Sequence, residues 1–109
     1  MAFEVGDTLV LYVARNNTLH IHEGVVSFNK HYYRNFVIFT DGRAHERVPN
    51  RDRIGKIQGG GPRLWLTERN DNLARKMFLD YETNKLEALE RQVKRKKQLI
   101  EVLREGLEE

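Results

Sequence analysis

Cysteine is absent from the 109 residues, which removes disulfides, thiolate metal sites and cysteine nucleophiles and fits a reducing compartment. No apolar run approaches the roughly 20 residues of a membrane span. Met1–Asp7 shows no basic segment followed by an apolar one, so no signal peptide is expected. A soluble, cytoplasmic protein without a membrane partner is the expectation. No nucleophile–base arrangement and no distinctive carboxylate pair is legible. Gly59-Gly60-Gly61 lacks the strand–loop–helix setting and the following Lys-Ser/Thr of a phosphate-binding loop. Neither enzymatic activity nor a bound cofactor or metal is expected.

A large excess of either charge is also lacking. The net charge is +3, and its placement matters more than its size. Residues 1–66 hold nine Lys/Arg against six Asp/Glu, whereas residues 67–109 hold ten of each. The excess therefore belongs to the N-terminal part, and a mildly basic surface there suits a polyanionic partner.

What the chain does contain is a heptad. Leu79, Leu86, Val93, Ile100 and Leu107 recur every seven residues, and Leu89 and Leu103 fill interleaved positions. This is the a/d pattern of a helix laid against another helix. The spacing predicts a helix over 67–107, starting at Thr67 or Asn70, with Glu68 and Asp71 suiting the positive end of its dipole. At ~1.5 Å per residue such a helix is ~60 Å long, more than a sixty-residue domain can cover. Its distal half needs a partner: a second copy, a folded-back turn near the weak helix formers Thr83-Asn84, or a foreign surface.

Upstream, short β segments alternate with turn signals. Residues 3–13, 19–29, 32–40 and 44–48 read as strands. They are separated by Asn16-Asn17, by a loop, and by Asp41-Gly42, a strong hairpin turn. Both faces of the first strand are apolar, as expected where a strand is buried on both sides. Gly24 inside the second strand marks a bulge or bend. Arg51–Ile57 reads as a tight loop or one helical turn. Arg63–Leu66 supplies a fifth strand after the Gly-rich joint 59–62, which is read as flexible, the alternative being dihedrals that favour glycine. The expected architecture is α+β: a five-stranded antiparallel barrel over 1–58 and 63–66, then the long helix.

Gly6-Asp7, Gly24-Val25 and Val37-Ile38-Phe39-Thr40-Asp41-Gly42, followed by Val48 and Ile54, resemble the pattern of small Src-homology-three-like barrels of the Tudor and KOW type. The resemblance covers residues 3–57. A Tudor domain would imply an aromatic cage holding a methylated side chain by cation–π attraction. Here His20, Ile21 and His22 stand where cage aromatics belong, with only Phe39 in a cage-like place and Tyr32 and Tyr33 nearby. The KOW resemblance implies contact with nucleic acid or a nucleoprotein machine. The barrel followed by Leu64-Trp65-Leu66 and a charged helix also resembles small bacteriophage proteins.

Three clusters are candidate sites. Arg43, Arg47, Arg51, Arg53, Lys56 and Arg63 face only Glu46 and Asp52 in the local sequence. Clustered arginines grip phosphate bidentately, and Tyr32, Tyr33 and Phe36 beside them stack on exposed bases. The alternative is a solvated rim over core aromatics. The second cluster is Arg91, Lys94, Arg95, Lys96 and Lys97, which bind nucleic acid or an acidic protein, or simply solvate the helix. Glu87–Arg91, Glu90–Lys94 and Lys97–Glu101 are i,i+4 pairs that support an exposed helix. The third is His20-x-His22-Glu23, whose imidazoles face one way on a strand; with no third ligand assured, a surface or half-buried histidine pair is the expected reading.

The sequence thus predicts a non-enzymatic binding protein. Its barrel contacts nucleic acid or a nucleoprotein complex. Leu79, Leu86, Leu89, Val93, Ile100, Leu103 and Leu107 serve a homodimer, with Val93 and Ile100 at a positions suiting a parallel pair. The rival reading is an inhibitor-like factor that clamps a host protein through helix and barrel, and a third is a structural dimeric component.

Overall fold

The computed structural model describes residues 2–108. Six strands form one antiparallel sheet: β1 (Thr8–Arg15), β2 (Thr18–Asn29), β3 (Arg34–Phe39), β4 (Glu46–Arg47), β5 (Ile57–Gln58) and β6 (Arg63–Leu66). A 3₁₀ turn at Arg51–Arg53 precedes β5, and one helix, α1 (Asp71–Glu108), follows β6. The order across the sheet is β4-β3-β2-β1-β6-β5. The chain divides into two compact units, residues 1–78 and 79–109.

The expected five-stranded barrel is thus a curled, six-stranded half-barrel. Its ladders end on β4 and β5, each two residues long. The added strand is β5, paired with β6 through Ile57↔Leu64 and Gln58↔Arg63. A two-residue strand has no periodicity to read, which is why the sequence shows it only as a loop.

Asn16 and Asn17 both take left-handed angles, φ 54° and 61°. They close the β1–β2 hairpin next to the Arg15↔Thr18 pair, as the twist of a two-residue hairpin demands. Gly59-Gly60-Gly61 is a turn too. It joins β5 to β6, with Gly60 at φ 80° and Gly61 at φ 119°, so the joint read as flexible is instead a hairpin whose backbone favours glycine.

Gly24 makes no bulge. The register runs through it on both sides, Leu9↔Gly24 and Gly24↔Phe39. A Cβ there would meet Val37 Cγ1 at 2.5 Å. Gly24 lies where β2 pairs with β1 and β3 at once, and its missing side chain leaves room for Val37 inside the curl.

Two clusters fill the first unit, one on each face of the sheet. Inside the curl, Phe3, Leu9, Leu11, Val26, Val37, Phe39 and Trp65 pack together, with Val13, Val48 and Ile54 at the margin. On the outer face, Val10, Tyr12, Leu64 and Leu66 are covered by Ala74 and Phe78 of α1. The double-sided apolar pattern of β1 follows: odd positions face the curl and even ones face the helix.

The start of α1 is set by Asn70. Its side-chain oxygen accepts the Leu73 N–H at 3.1 Å, the bond expected of an N-cap. The helix then runs without interruption through Thr83-Asn84. Among the described residues no helix is long and apolar enough to cross a membrane.

Candidate nucleic-acid interface

The β2–β3 connection presents the aromatics. Asn29 Oδ1 accepts the N–H groups of His31 (2.8 Å) and Tyr32 (3.3 Å), folding the loop back on its own strand. Tyr33 sits at φ 55°, a costly conformation for a bulky residue. The sequence placed Tyr32 and Tyr33 on a strand. They stand in the hairpin loop instead, 60% and 86% exposed. Each ring is braced edge-on: Tyr32 against Phe36 at 5.6 Å, and Tyr33 against Phe28 at 5.7 Å. Phe36 is itself buried and packs against His45 at 4.8 Å.

Next to these rings lies a basic surface. Tyr32, Arg34, Phe36, His45 and Arg47 line a shallow pocket of about 350 Å³. Arg47 also lines a larger open groove, of about 730 Å³, with Val48, Arg53, Gly60, Arg63 and Trp65. That groove occupies the unpaired seam between β4 and the β5–β6 hairpin. Arg47 is exposed and lines both cavities, so the aromatic pocket and the basic groove adjoin at that residue.

The arginines of the sequence cluster divide by what already holds them. Glu46 engages both Arg43 (Nη2 to Oε2, 3.2 Å) and Arg63. The two guanidinium groups also lie over core rings, Arg43 5.8 Å from the Phe39 centroid and Arg63 6.0 Å from that of Trp65. Arg51 covers Phe3 at 4.2 Å. These three close the edge of the core. Arg47, Arg53 and Lys56 are exposed and, among the described residues, make no ion pair. Lys94, Arg95 and Lys97 lie exposed on α1 in the second unit.

The histidine pair has structural work. His22 Nδ1 meets Asp41 Oδ2 at 2.5 Å, and its ring packs edge-on to Phe39 and parallel to His20. The His22 hydrogen bond, with that from the Arg43 N–H, holds the Asp41 carboxyl below its ordinary range. Phe39, the cage-like aromatic, is buried and stacked on Trp65; it presents no open cage wall.

Phe28, Arg34 and His45 were not legible as site residues. Phe28 continues the inward period of Gly24 and Val26, so it reads as core, yet it is 47% exposed where it pairs with Asn35 near the end of β2. The signal for Arg34 was its place directly after Tyr32-Tyr33. Compared with known proteins, the chain matches no family model, no curated protein and no solved structure.

Proposed function

We propose that the first unit binds single-stranded nucleic acid, or an unpaired stretch within a nucleoprotein complex, without catalysing a reaction. The observation that carries this reading is the juxtaposition of Tyr32 with Arg34, His45 and Arg47 in one exposed pocket. Exposed rings held by their neighbours are platforms for bases, and guanidinium groups alongside neutralise the phosphates between them. A duplex buries its base faces, so stacking favours the single strand. In this mechanism Tyr32 and Tyr33 stack on bases while Arg47 and Arg53 hold the backbone as it enters the groove. Arg43, Arg51 and Arg63 serve the fold more than the ligand, because each already covers an aromatic ring. The second unit supplies self-association or docking.

Fluorescence anisotropy of a labelled single-stranded oligonucleotide, titrated at several salt concentrations, tests this. Tyr32→Ala is expected to cost about 1–3 kcal/mol of binding, the scale of one base–aromatic stack. Arg47→Ala is expected to flatten the log–log salt slope by about 0.7, one single-strand phosphate contact. Unchanged affinity and slope in both variants would refute the assignment; DNA and RNA oligomers of one sequence separate the two targets.

The stripe of exposed leucines on α1 favours a second reading, in which the helix docks on another protein. Replacing Leu89 and Ile100 with Glu then abolishes activity while oligonucleotide affinity is unchanged.

A further inference from the structure

The second unit exposes an apolar stripe. Leu86, Leu89, Val93, Ile100 and Leu103 are each 48–60% exposed on an uninterrupted helix. We infer that this stripe is covered by a second copy of the chain running antiparallel, with Leu86 against Leu103 of the partner subunit and Leu89 against Ile100 of the partner subunit. The inference rests on the reading of the second unit as a self-association element and adds its direction and register.

Lys96 decides the direction. It occupies a d position among otherwise apolar neighbours. In a parallel pair at equal register, d meets d, so Lys96 faces the partner's Lys96 and two like charges share one buried layer. In an antiparallel pair, a meets d. Lys96 then lies against the partner's Val93, where its aliphatic stem covers the valine and its ammonium group reaches water. The symmetric layers repeat these contacts, giving four wholly apolar layers around two Val–Lys layers.

The flanking charges are also satisfied. Antiparallel packing brings e positions together, and this register sets Glu90 beside the partner's Lys97, twice by symmetry. The parallel register sets Glu90 beside the partner's Lys85 and leaves Lys97 with the partner's Gln92. The antiparallel pair therefore brings an acid to the edge of the stretch Arg91–Lys97, which has five cations and no acid of its own. Finally, Glu82 lies opposite the partner's Leu107, so the paired positions 82–107 all belong to the second unit.

The chain has no cysteine, which makes engineered disulfides an unambiguous readout on the full-length protein. Sedimentation equilibrium of the unmodified chain should give a dimer mass. Leu86→Cys and Leu103→Cys variants, each oxidised alone, should remain uncrosslinked, whereas their equimolar mixture should yield the mixed disulfide. Glu90→Lys should weaken the dimer on the order of tenfold, and adding Lys97→Glu to the same chain should restore it. A Leu86→Cys chain that crosslinks to itself overturns the direction while leaving self-association standing. Absence of the mixed disulfide, or failure of the charge swap to restore affinity, overturns the register. A monomer mass at every concentration overturns self-association itself.

Discussion

The phenol of Tyr12 ties the sheet to the helix. Its O–H donates to Asp71 Oδ1 at 2.9 Å and its oxygen accepts the Asn70 N–H at 2.8 Å, while its ring is fully buried. Tyr12→Phe keeps the packing, orphans the Asn70 N–H and removes one of the hydrogen bonds to Asp71, so a loss of about 1–2 kcal/mol is expected in a urea titration. Burial, followed by the bond to Asp71, raises the Tyr12 pKa above its ordinary 10.0. A raised folded pKa means a contribution present below 10.0 and lost as pH rises through the folded value. Asp71 shifts the other way: hydrogen bonds from Arg69 and then Tyr12 hold its carboxyl below 3.8, and Asp41 behaves likewise through His22. Their contribution is present above the unfolded value and lost as pH falls through each folded pKa. The urea midpoint is therefore expected to fall below pH 4, and Asp71→Ala to flatten that acid limb. An unchanged limb in that variant would remove Asp71 from the account.

Among the elements, β2 and α1 carry the sharpest tests. β2 serves two ladders, pairing residues 18–25 with β1 and 24–29 with β3. Gly24 belongs to both. A methyl group there would press on Val37 Cγ1, with the Ile38 carbonyl oxygen and Phe39 Cδ1 each at 3.2 Å. Gly24→Ala is expected to destabilise the first unit by about 1–3 kcal/mol, the usual cost of overpacking, read as a lower thermal midpoint. On α1 the defect is Lys96. Lys96→Leu extends the apolar stripe and is expected to tighten the inferred dimer, raising the thermal midpoint of the helix signal in a concentration-dependent way. A midpoint independent of concentration would show that the helix melts alone.

At the scale of the whole chain, the unit boundary falls inside a helix, after Phe78. Ala74 and Phe78 cover Val10, Tyr12, Leu64 and Leu66, so the first two turns of α1 are part of the first unit's core. A chain ending at residue 66 loses that cover together with both partners of Tyr12. It is expected to unfold, whereas one ending at residue 82 keeps its β-sheet circular dichroism and its oligonucleotide affinity. Loss of affinity in the folded 1–82 chain would move nucleic-acid binding onto Lys94, Arg95 and Lys97.

Elements whose physics is local were legible in the chain alone. The Asn16-Asn17 turn needed only residues that tolerate left-handed angles. The alternation of Leu9, Leu11 and Val13 with Val10 and Tyr12 marked a strand buried twice, and the period-seven apolar residues Leu79, Leu86, Val93, Ile100 and Leu107 marked the helix. The α+β class followed from these. Contacts between residues distant in the chain belonged to the tertiary structure alone. It made β5 a strand by giving it β6 to pair with, and it turned three glycines from a joint into a hairpin. It also sorted one run of arginines into those spent on Glu46, Phe3, Phe39 and Trp65 and those facing solvent. A guanidinium group carries the same charge in either place; what it touches depends on which ring or carboxylate the fold brings beside it.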